Sequence, residues 1–255
     1  MNFIVSASTD VGNVKSSNQD SLNVKTLTIN GETMVFAIIC DGMGGLEKGE
    51  VASASMVKAF CSWVLNRLPV LCAWGLDGMQ IRKEWFGLIE EYNEKIKIYG
   101  KKSAIHMGTT VTAMLLTGGY YYIVNVGDSR AYEICSNLQV LTRDQTVVAR
   151  EVEQGLLTLE QAETDPRRSV LLQCIGASDV VYPDFFLGEV KKDAVYMLCS
   201  DGFRHEITAE EIFAYFHPGR MLNEMIMKES ETALIALNKQ RQEKDNISVI
   251  TIRTF

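Results

Sequence analysis

Residues 34–45 have the sequence MVFAIICDGMGG, in which an apolar run ends at Asp41 among glycines. Seven apolar residues without a charge are typical of a strand that is buried on both faces. Two β-rich runs, Leu22 to Ile29 and Thr33 to Ile39, are joined at Asn30-Gly31. Because Asn-Gly accepts positive φ, we predict a β-hairpin that delivers Asp41 at its end.

Further elements follow on both sides of this hairpin. Apolar residues at helical spacing predict two amphipathic helices, one from Glu50 to Leu68 and one with its stripe from Ile81 to Tyr99. The next four runs predict an antiparallel meander of strands, at Thr109–Leu116, Tyr120–Val126, Ala131–Cys135 and Leu138–Leu141.

The remaining segments complete the pattern. Helices are predicted at Val147–Gln154, after the capping boxes Thr158/Gln161 and Thr208/Glu211, and at Ser230–Gln242. Strands are predicted at Met1–Ser6, Val195–Cys199 and Ile247–Ile252. Strands and helices occur in groups, which predicts an α+β fold of antiparallel sheets covered by helix pairs.

Composition limits the class of protein. The 255 residues contain 47% hydrophobic residues and four prolines, so we expect one domain over residues 1–255 without a linker. A net charge of −7 argues against nucleic acid as a partner. The N-terminus does not resemble a signal peptide and the apolar runs are shorter than a membrane span, so we expect a soluble, cytoplasmic protein that does not bind membranes. Six cysteines without a C-x-x-C pair are expected to be reduced core thiols.

Four aspartates lie at predicted strand ends. Asp41, Asp128 and Asp201 each follow a buried strand, and Asp245 precedes the last one. A single Asp in this position is usually a turn residue, but three of these lie beside glycines that let the backbone approach an ion. Strand ends of one sandwich can meet at one edge, where carboxylates repel unless cations neutralise them. The sequence therefore predicts a metal site, and oxygen ligands without a His or Cys cluster favour Mn²⁺ or Mg²⁺.

An ordered set of motifs gives this pattern a family resemblance. The chain resembles the metal-dependent Ser/Thr protein phosphatases of the 2C type, specifically their compact bacterial members, through Thr9-Asp10-Val11-Gly12, Asn18-Gln19-Asp20, Asp41-Gly42-Met43-Gly44-Gly45, Gly108-Thr109-Thr110, Val126-Gly127-Asp128-Ser129-Arg130-Ala131-Tyr132, Leu141-Thr142-Arg143-Asp144, Ser200-Asp201-Gly202 and Asp245-Asn246-Ile247-Ser248.

The resemblance implies a four-layer α-β-β-α sandwich with a two-ion site at one edge. It implies that Asp41 bridges two metal ions, that the Gly42 carbonyl completes one site and that Asp201 and Asp245 hold the other ion. Asp20 would act through metal-bound water, and Asp128 would help to hold a third, weaker ion. Two ions about 3.5 to 4 Å apart can lower the pKa of a shared water and align it for in-line attack on phosphorus.

Some positions depart from the family pattern. Many relatives have an arginine where this chain has Lys15, which would bind the substrate phosphate without bidentate geometry. The alternative for Lys15 is a solvated surface lysine. Gln19 replaces a common glutamate, and Met43 stands where eukaryotic relatives have a candidate acid histidine, so metal-bound water would protonate the leaving group.

Residues 145–183 correspond by resemblance to a mobile flap beside the cleft. Arg167 and Arg168 within it could contact an acidic or phosphorylated segment, or could form a solvated basic turn. We expect phosphorylated proteins as substrates, a Ser/Thr kinase and its targets as partners, and a monomer. Two alternatives are a pseudophosphatase of the same fold and a nucleotide-binding enzyme, and the second is disfavoured because G-x-G-x-x-G is incomplete.

Overall fold

The structure, a computed structural model, describes residues 1–43 and 48–255, so Gly44 and Gly45 of the predicted motif lie outside the described residues. The strands of the described residues are β1 (Phe3–Asp10), β2 (Ser21–Ile29), β3 (Glu32–Cys40), β4 (Val111–Leu116), β5 (Tyr120–Val126), β6 (Arg130–Ile134), β7 (Leu138–Val140), β8 (Asp184–Glu189), β9 (Val195–Cys199) and β10 (Ile247–Thr254). The helices are α1 (Gly49–Asn66), α2 (Leu68–Trp74), α3 (Gly78–Ser103), α4 (Val147–Glu153), α5 (Leu159–Thr164), α6 (Asp201–Arg204), α7 (Ala209–Phe216) and α8 (Glu224–Gln240).

Two five-stranded antiparallel sheets pack face to face. Sheet I has the order β1-β10-β9-β6-β7, and sheet II has the order β2-β3-β4-β5-β8. In β3, Val35 and Ile39 pack with sheet I residues such as Leu198, whereas Phe36 and Ile38 pack under helices. Because both faces of β3 are buried, its sequence is a continuous apolar run, and each buried Ile or Phe side chain contributes about 1.5–3 kcal/mol.

Helices cover the outer face of each sheet. Helices α1 and α3 pack on sheet II, where the Trp85 ring lies 5.5 Å from Trp63 and 5.8 Å from Phe60 between centroids. Helices α6, α7 and α8 pack on sheet I through Phe203, Phe216 and other buried residues. The predicted four-layer α-β-β-α sandwich is therefore confirmed.

Local sequence signals place several turns and helix ends. Asn30 and Gly31 have φ values of 53° and 82°, so the predicted hairpin is confirmed. Both predicted capping boxes are present, at Thr158 and at Thr208. Side-chain oxygens at these N-caps satisfy backbone N–H groups that a helix start would otherwise leave unpaired.

The four predicted strands form two antiparallel pairs, β4–β5 and β6–β7, but the prediction that they continue as one meander is wrong. β5 pairs with β4 and β8 in sheet II, whereas β6 pairs with β7 and β9 in sheet I, so the chain changes sheet over residues 127–129. Gly127 has φ 107°, a conformation that favours glycine, and a Cβ there would lie 2.5 Å from the Thr110 side chain. Apolar alternation predicts a strand but does not identify its partner, which explains the error.

Other differences concern weakly marked elements. Strand β8 was not predicted, because it is a half-exposed edge strand that follows Pro183 and contains Gly188. Helix α8 begins at Glu224, six residues before the predicted start, with Asn223 as its N-cap. The short helices α2 and α6 were also not predicted.

Within the described residues, the stretch Gly49–Trp74 is long and apolar enough to cross a membrane by length and composition alone. From the sequence, only apolar runs shorter than a membrane span were predicted. Its first helix packs on sheet II through Met56, Phe60 and Val64, which are fully buried. Core helices of this kind pass the same test of length and composition.

Candidate metal centre

Sheet register brings aspartates of both sheets to one edge. Ser21 pairs with Cys40 at the end of the β2–β3 ladder, so Asp20 and Asp41 leave sheet II side by side. In sheet I, the Ser200 N–H donates to the Ser248 carbonyl (3.1 Å), which places Asp201 beside the start of β10. The Ser200 hydroxyl donates to Asp20 Oδ2 (3.0 Å) and thereby joins the two sheet ends.

The carboxyl groups at this edge lie close enough for their charges to act on one another. Burial raises the pKa of Asp41 well above its ordinary value, and the negative charges of Asp20, Asp201 and Asp245 add to this shift. Burial, opposed by hydrogen bonds from serines and reinforced by the charges of Asp201 and Asp245, raises the pKa of Asp20 to about 7. Four aspartates that are distant in sequence therefore act on one another electrostatically.

Asp201 behaves differently from its neighbours. Burial alone would raise the pKa of Asp201, but His205, Arg204 and a hydrogen bond from Asp41 hold it below its ordinary value. Of the two basic residues Arg204 is the permanent charge, because burial lowers the pKa of His205 to about 4. A protonated Asp41 next to an ionised Asp201 is the expected charge distribution of such a pair.

The Asp245 loop is held by backbone contacts. Glu243 Oε1 accepts the N–H groups of Lys244 (2.7 Å) and Asp245 (2.9 Å). A Cβ at Gly202 would lie 2.2 Å from the Asn246 carbonyl oxygen, so only glycine permits this loop to pack against the start of α6. Lys15 Nζ lies 3.0 Å from Asp245 Oδ1.

The Asp41 loop is held by the Gly108-Thr109-Thr110 motif. The Asp41 N–H donates to Thr110 Oγ1 (2.9 Å), and the Asp41 carbonyl accepts from the Thr110 N–H and the Thr109 hydroxyl (both 2.9 Å). The Gly42 N–H donates to the Gln19 carbonyl (3.2 Å), and a Cβ at Gly42 would lie 2.5 Å from that oxygen. These contacts fix the backbone on both sides of the Asp41 carboxyl.

Two observations bear on whether this site fits metal ions. Asp20 Oδ1 and Asp201 Oδ1 are buried without a hydrogen-bond partner, and such atoms call for an ion or water as ligand. In residues 1–43 and 48–255, however, no three Asp, Glu, His or Cys side chains already stand at metal-ligating spacing. Ion binding therefore requires side-chain movement, part of which is displacement of Lys15 from Asp245. The oxygen donors themselves fit hard cations such as Mg²⁺ and Mn²⁺.

Asp128 lies at the crossover between the sheets and beside Arg204. Burial and the Asp201 charge raise the pKa of Asp128 well above its ordinary value, although Arg204 opposes the shift. Asp144 accepts two hydrogen bonds from Arg130 (both 2.8 Å) and one from Arg204 (3.2 Å). Burial alone would raise the pKa of Asp144, but Arg204 and Arg130 hold it below its ordinary value.

The predicted flap borders a cleft beside the aspartates. Ser169 in this segment donates to Asp201 Oδ2 (3.3 Å), and Arg168 lies 3.1 Å from Glu206. Arg167 is engaged elsewhere, in ion pairs with acidic residues of α4 and its own turn. The cleft measures about 310 Å³ and is lined by Lys15, Arg168, Ser169, Asp201, His205, Glu206, Gln242, Glu243, Lys244 and Asp245.

The structure thus brings Asp20, Asp41, Asp201 and Asp245 together, with Lys15 bound to one of them. Sequence reasoning gave no role to the polar residues that hold these carboxyls, although the motifs contained most of them. The missed residues are Thr110, Ser169, Ser200, Arg204 and Ser248.

Comparison with known proteins agrees with this geometry. The family model described as "Protein phosphatase 2C" matches residues 12–236. The serine/threonine phosphatase stp of Listeria welshimeri is 30% identical over 247 residues, which cover 96% of this chain and 93% of that protein. Protein phosphatase PhpP of Streptococcus pneumoniae is 32% identical over 212 residues, with 82% of each chain covered.

Solved structures give the same result. The S. agalactiae serine/threonine phosphatase has a TM-score of 0.85 and 27% identity over the whole of both chains. The catalytic domain of the phosphatase PstP, solved with two manganese ions, has a TM-score of 0.79 and 26% identity over 99% of both chains. The chain is therefore a member of the protein phosphatase 2C family and a metal-dependent serine/threonine protein phosphatase.

Proposed function

We propose that Asp41, Asp201, Asp245 and the Gly42 carbonyl hold two divalent cations, Mn²⁺ or Mg²⁺, and that Asp20 acts through a water in the same shell. The supporting observation is a group of carboxyls whose charges act on one another, and two of whose oxygens are buried without a hydrogen-bond partner within the described residues. The two manganese ions in the PstP structure support the same number here.

When bound, the ions supply a nucleophile from water at neutral pH and neutralise charge on the phosphoryl oxygens. The residues of the chain hold the carboxyl groups of this site in position. The Thr109 and Thr110 contacts hold the Asp41 backbone, and Ser200 orients the Asp20 carboxyl toward the aspartates of sheet I. The cleft beside Asp201 and Asp245 is open to a phosphorylated side chain, and Lys15 at its wall provides a positive charge for the phosphate.

Leaving-group protonation does not fall to a histidine in this proposal. Met43 follows the Asp41-Gly42 pair, and the buried His205 is neutral because its pKa is lowered to about 4. At neutral pH such an imidazole does not carry the acidic proton of an imidazolium, so it cannot act as the general acid. With no histidine assigned as the acid, water held by the proposed cations would supply this proton.

The test is hydrolysis of p-nitrophenyl phosphate and of a phosphothreonine peptide, with and without Mn²⁺, by the wild type and by Asp201→Asn. We expect turnover that requires Mn²⁺ and that the substitution abolishes. Asp179→Asn is the matched control, because the Asp179 side chain is fully exposed and its ion-pair partner is Lys97, which is not a proposed site residue. Turnover that persists in excess chelator would contradict the proposed metal centre.

We also propose that a Ser/Thr kinase supplies the phosphoproteins on which this chain acts, and that the chain is a cytoplasmic monomer. The family's phosphoprotein substrates support the first point. Light scattering on the purified chain, with and without Mn²⁺, tests the monomer, and a mass of two chains would contradict it.

A further inference from the structure

A buried guanidinium lies against the aspartate at which the family resemblance implies a third ion. Arg204 is the last residue of α6, three positions after Asp201, and its side chain is 12% exposed. Its Nη2 donates to the Asp128 carbonyl (3.0 Å) and lies 3.9 Å from Asp128 Oδ2. One short helix thus presents a candidate metal ligand at one end and a fixed cation at the other.

The contacts of Arg204 form a closed charge group. The same Nη2 donates to Asp144 (3.2 Å), which Arg130 also binds through two hydrogen bonds. Asp144 therefore lies between two guanidiniums, whereas Asp128 lies beside Arg204. Asp144 would keep a bidentate partner if Arg204 lost its charge, whereas Asp128 has no second guanidinium within the described contacts.

A divalent cation at Asp128 would meet this guanidinium at close range. Like charges a few ångströms apart repel strongly in a buried site, where water screens little. The Asp128 carbonyl oxygen, a further metal donor in principle, already accepts a hydrogen bond from Arg204. Both effects weaken binding of an ion at Asp128, because the close contacts of Arg204 Nη2 are with Asp128 and Asp144.

We infer that Arg204 is a built-in cation that takes the place of a third metal ion at Asp128, so that this phosphatase binds two divalent cations and not three. The inference rests on the proposed two-ion centre and deepens it. Arg204 is a positioning residue here, because it acts on Asp128 and does not contact the substrate phosphate.

The experiment counts bound Mn²⁺ by equilibrium dialysis with metal analysis and by calorimetry, which do not depend on turnover. We expect the wild type to saturate at two ions per chain and Asp128→Asn to bind the same two. We expect Arg204→Met to bind a third ion at least about tenfold more tightly than the wild type does, because the repelling charge is lost. Arg204→Lys should behave like the wild type, since it keeps the charge, and Arg204→Met/Asp128→Asn should return to two.

The outcomes separate this inference from the proposed function. Circular dichroism and thermal unfolding in chelator establish that each variant is folded, and Asp128→Asn tests the inference without any change at Arg204. A third ion in the wild type that Asp128→Asn removes would overturn the inference and leave the two-ion centre intact, as would a folded Arg204→Met that still binds two. A wild type that binds no Mn²⁺ would overturn both.

Discussion

The carboxylates at the edge of the sandwich form two groups with opposite electrostatics. Asp20 and Asp41 lie at the end of sheet II among other aspartates, and burial raises the pKa of each. Asp144, which follows β7, is also mostly buried, yet Arg204 and Arg130 hold its pKa below the ordinary value. The first group lacks internal cations among its described contacts, and the second has them.

The two groups of carboxylates therefore suit different roles, the unpaired group metal binding and the arginine-bound group the packing of the fold. Burying a charge costs free energy unless the charge is paired, so removing one partner of the arginine-bound group should destabilise the fold. The group at Asp20 and Asp41 has no such internal cations among its described contacts, and this is the property that fits the proposed metal centre.

The largest effect is expected for a substitution in the unpaired group of Asp20 and Asp41. Asp41→Asn removes the carboxylate assigned to both cations, and we expect kcat/KM for a phosphothreonine peptide in Mn²⁺ to fall by about 10³-fold or more, equivalent to ~4 kcal/mol. The same variant should be at least as stable as the wild type in chelator, because a buried like charge is removed. Steady-state kinetics and urea unfolding measure the two effects. Equal losses of activity and of stability would mean that Asp41 is structural.

A substitution in the arginine-bound group should instead lower stability. Asp144→Asn leaves Arg130 and Arg204 buried without their carboxylate, and we expect a loss of about 3 kcal/mol in the free energy of unfolding. The control Glu91→Gln disrupts an exposed ion pair with Lys95 and should change stability by less than about 0.5 kcal/mol. Urea unfolding in chelator compares the two variants. If Asp144→Asn matches the control, the buried network is not a source of stability.

The raised pKa of Asp20 predicts how stability changes with pH. In the folded chain the pKa is about 7, compared with an ordinary 3.8, so the folded state keeps a proton that the unfolded state releases. This contribution is complete below about pH 3.8 and is lost as pH rises toward about 7. Asp20→Asn should remove it.

The measurement is urea unfolding of the wild type and Asp20→Asn in chelator at several pH values. The stability of the variant relative to the wild type should increase between pH 4 and pH 7, the interval set by the two pKa values. Comparison with the variant cancels His205, whose lowered pKa of about 4 acts in the opposite direction. A constant difference across this range would show that Asp20 ionises normally.

Much of this comparison could be predicted from the sequence, and the reason is local. The apolar run of β3, the Asn30-Gly31 turn and the aspartate that ends the strand are all fixed by neighbouring residues. The ordered motifs then gave the family and its fold. Which strands pair depends on residues that are distant in sequence, and so the change of sheet after β5 was not predicted.

The residues around the carboxyls were harder to predict for the same reason. Ser200 and Asp20 are 180 positions apart, and Arg204 contacts Asp128 across 76 positions. The sequence around Arg204 does not indicate that its side chain contacts the motif that contains Asp128. The unpaired and paired groups could therefore be distinguished only once the fold had placed their partners.

The smallest expected effect concerns Lys15, the cation nearest to the unpaired group. Lys15 Nζ lies 3.0 Å from Asp245 Oδ1, and its side chain is 28% exposed. If it binds the substrate phosphate, Lys15→Arg should lower KM for a phosphothreonine peptide by about threefold, because a guanidinium adds a second hydrogen bond. Lys15→Met should raise KM by about the same factor. It should also tighten Mn²⁺ binding, since no ammonium then competes for Asp245. Opposite changes in substrate and metal affinity are not expected of a surface lysine, so variants that leave both unchanged would assign Lys15 to the solvated surface.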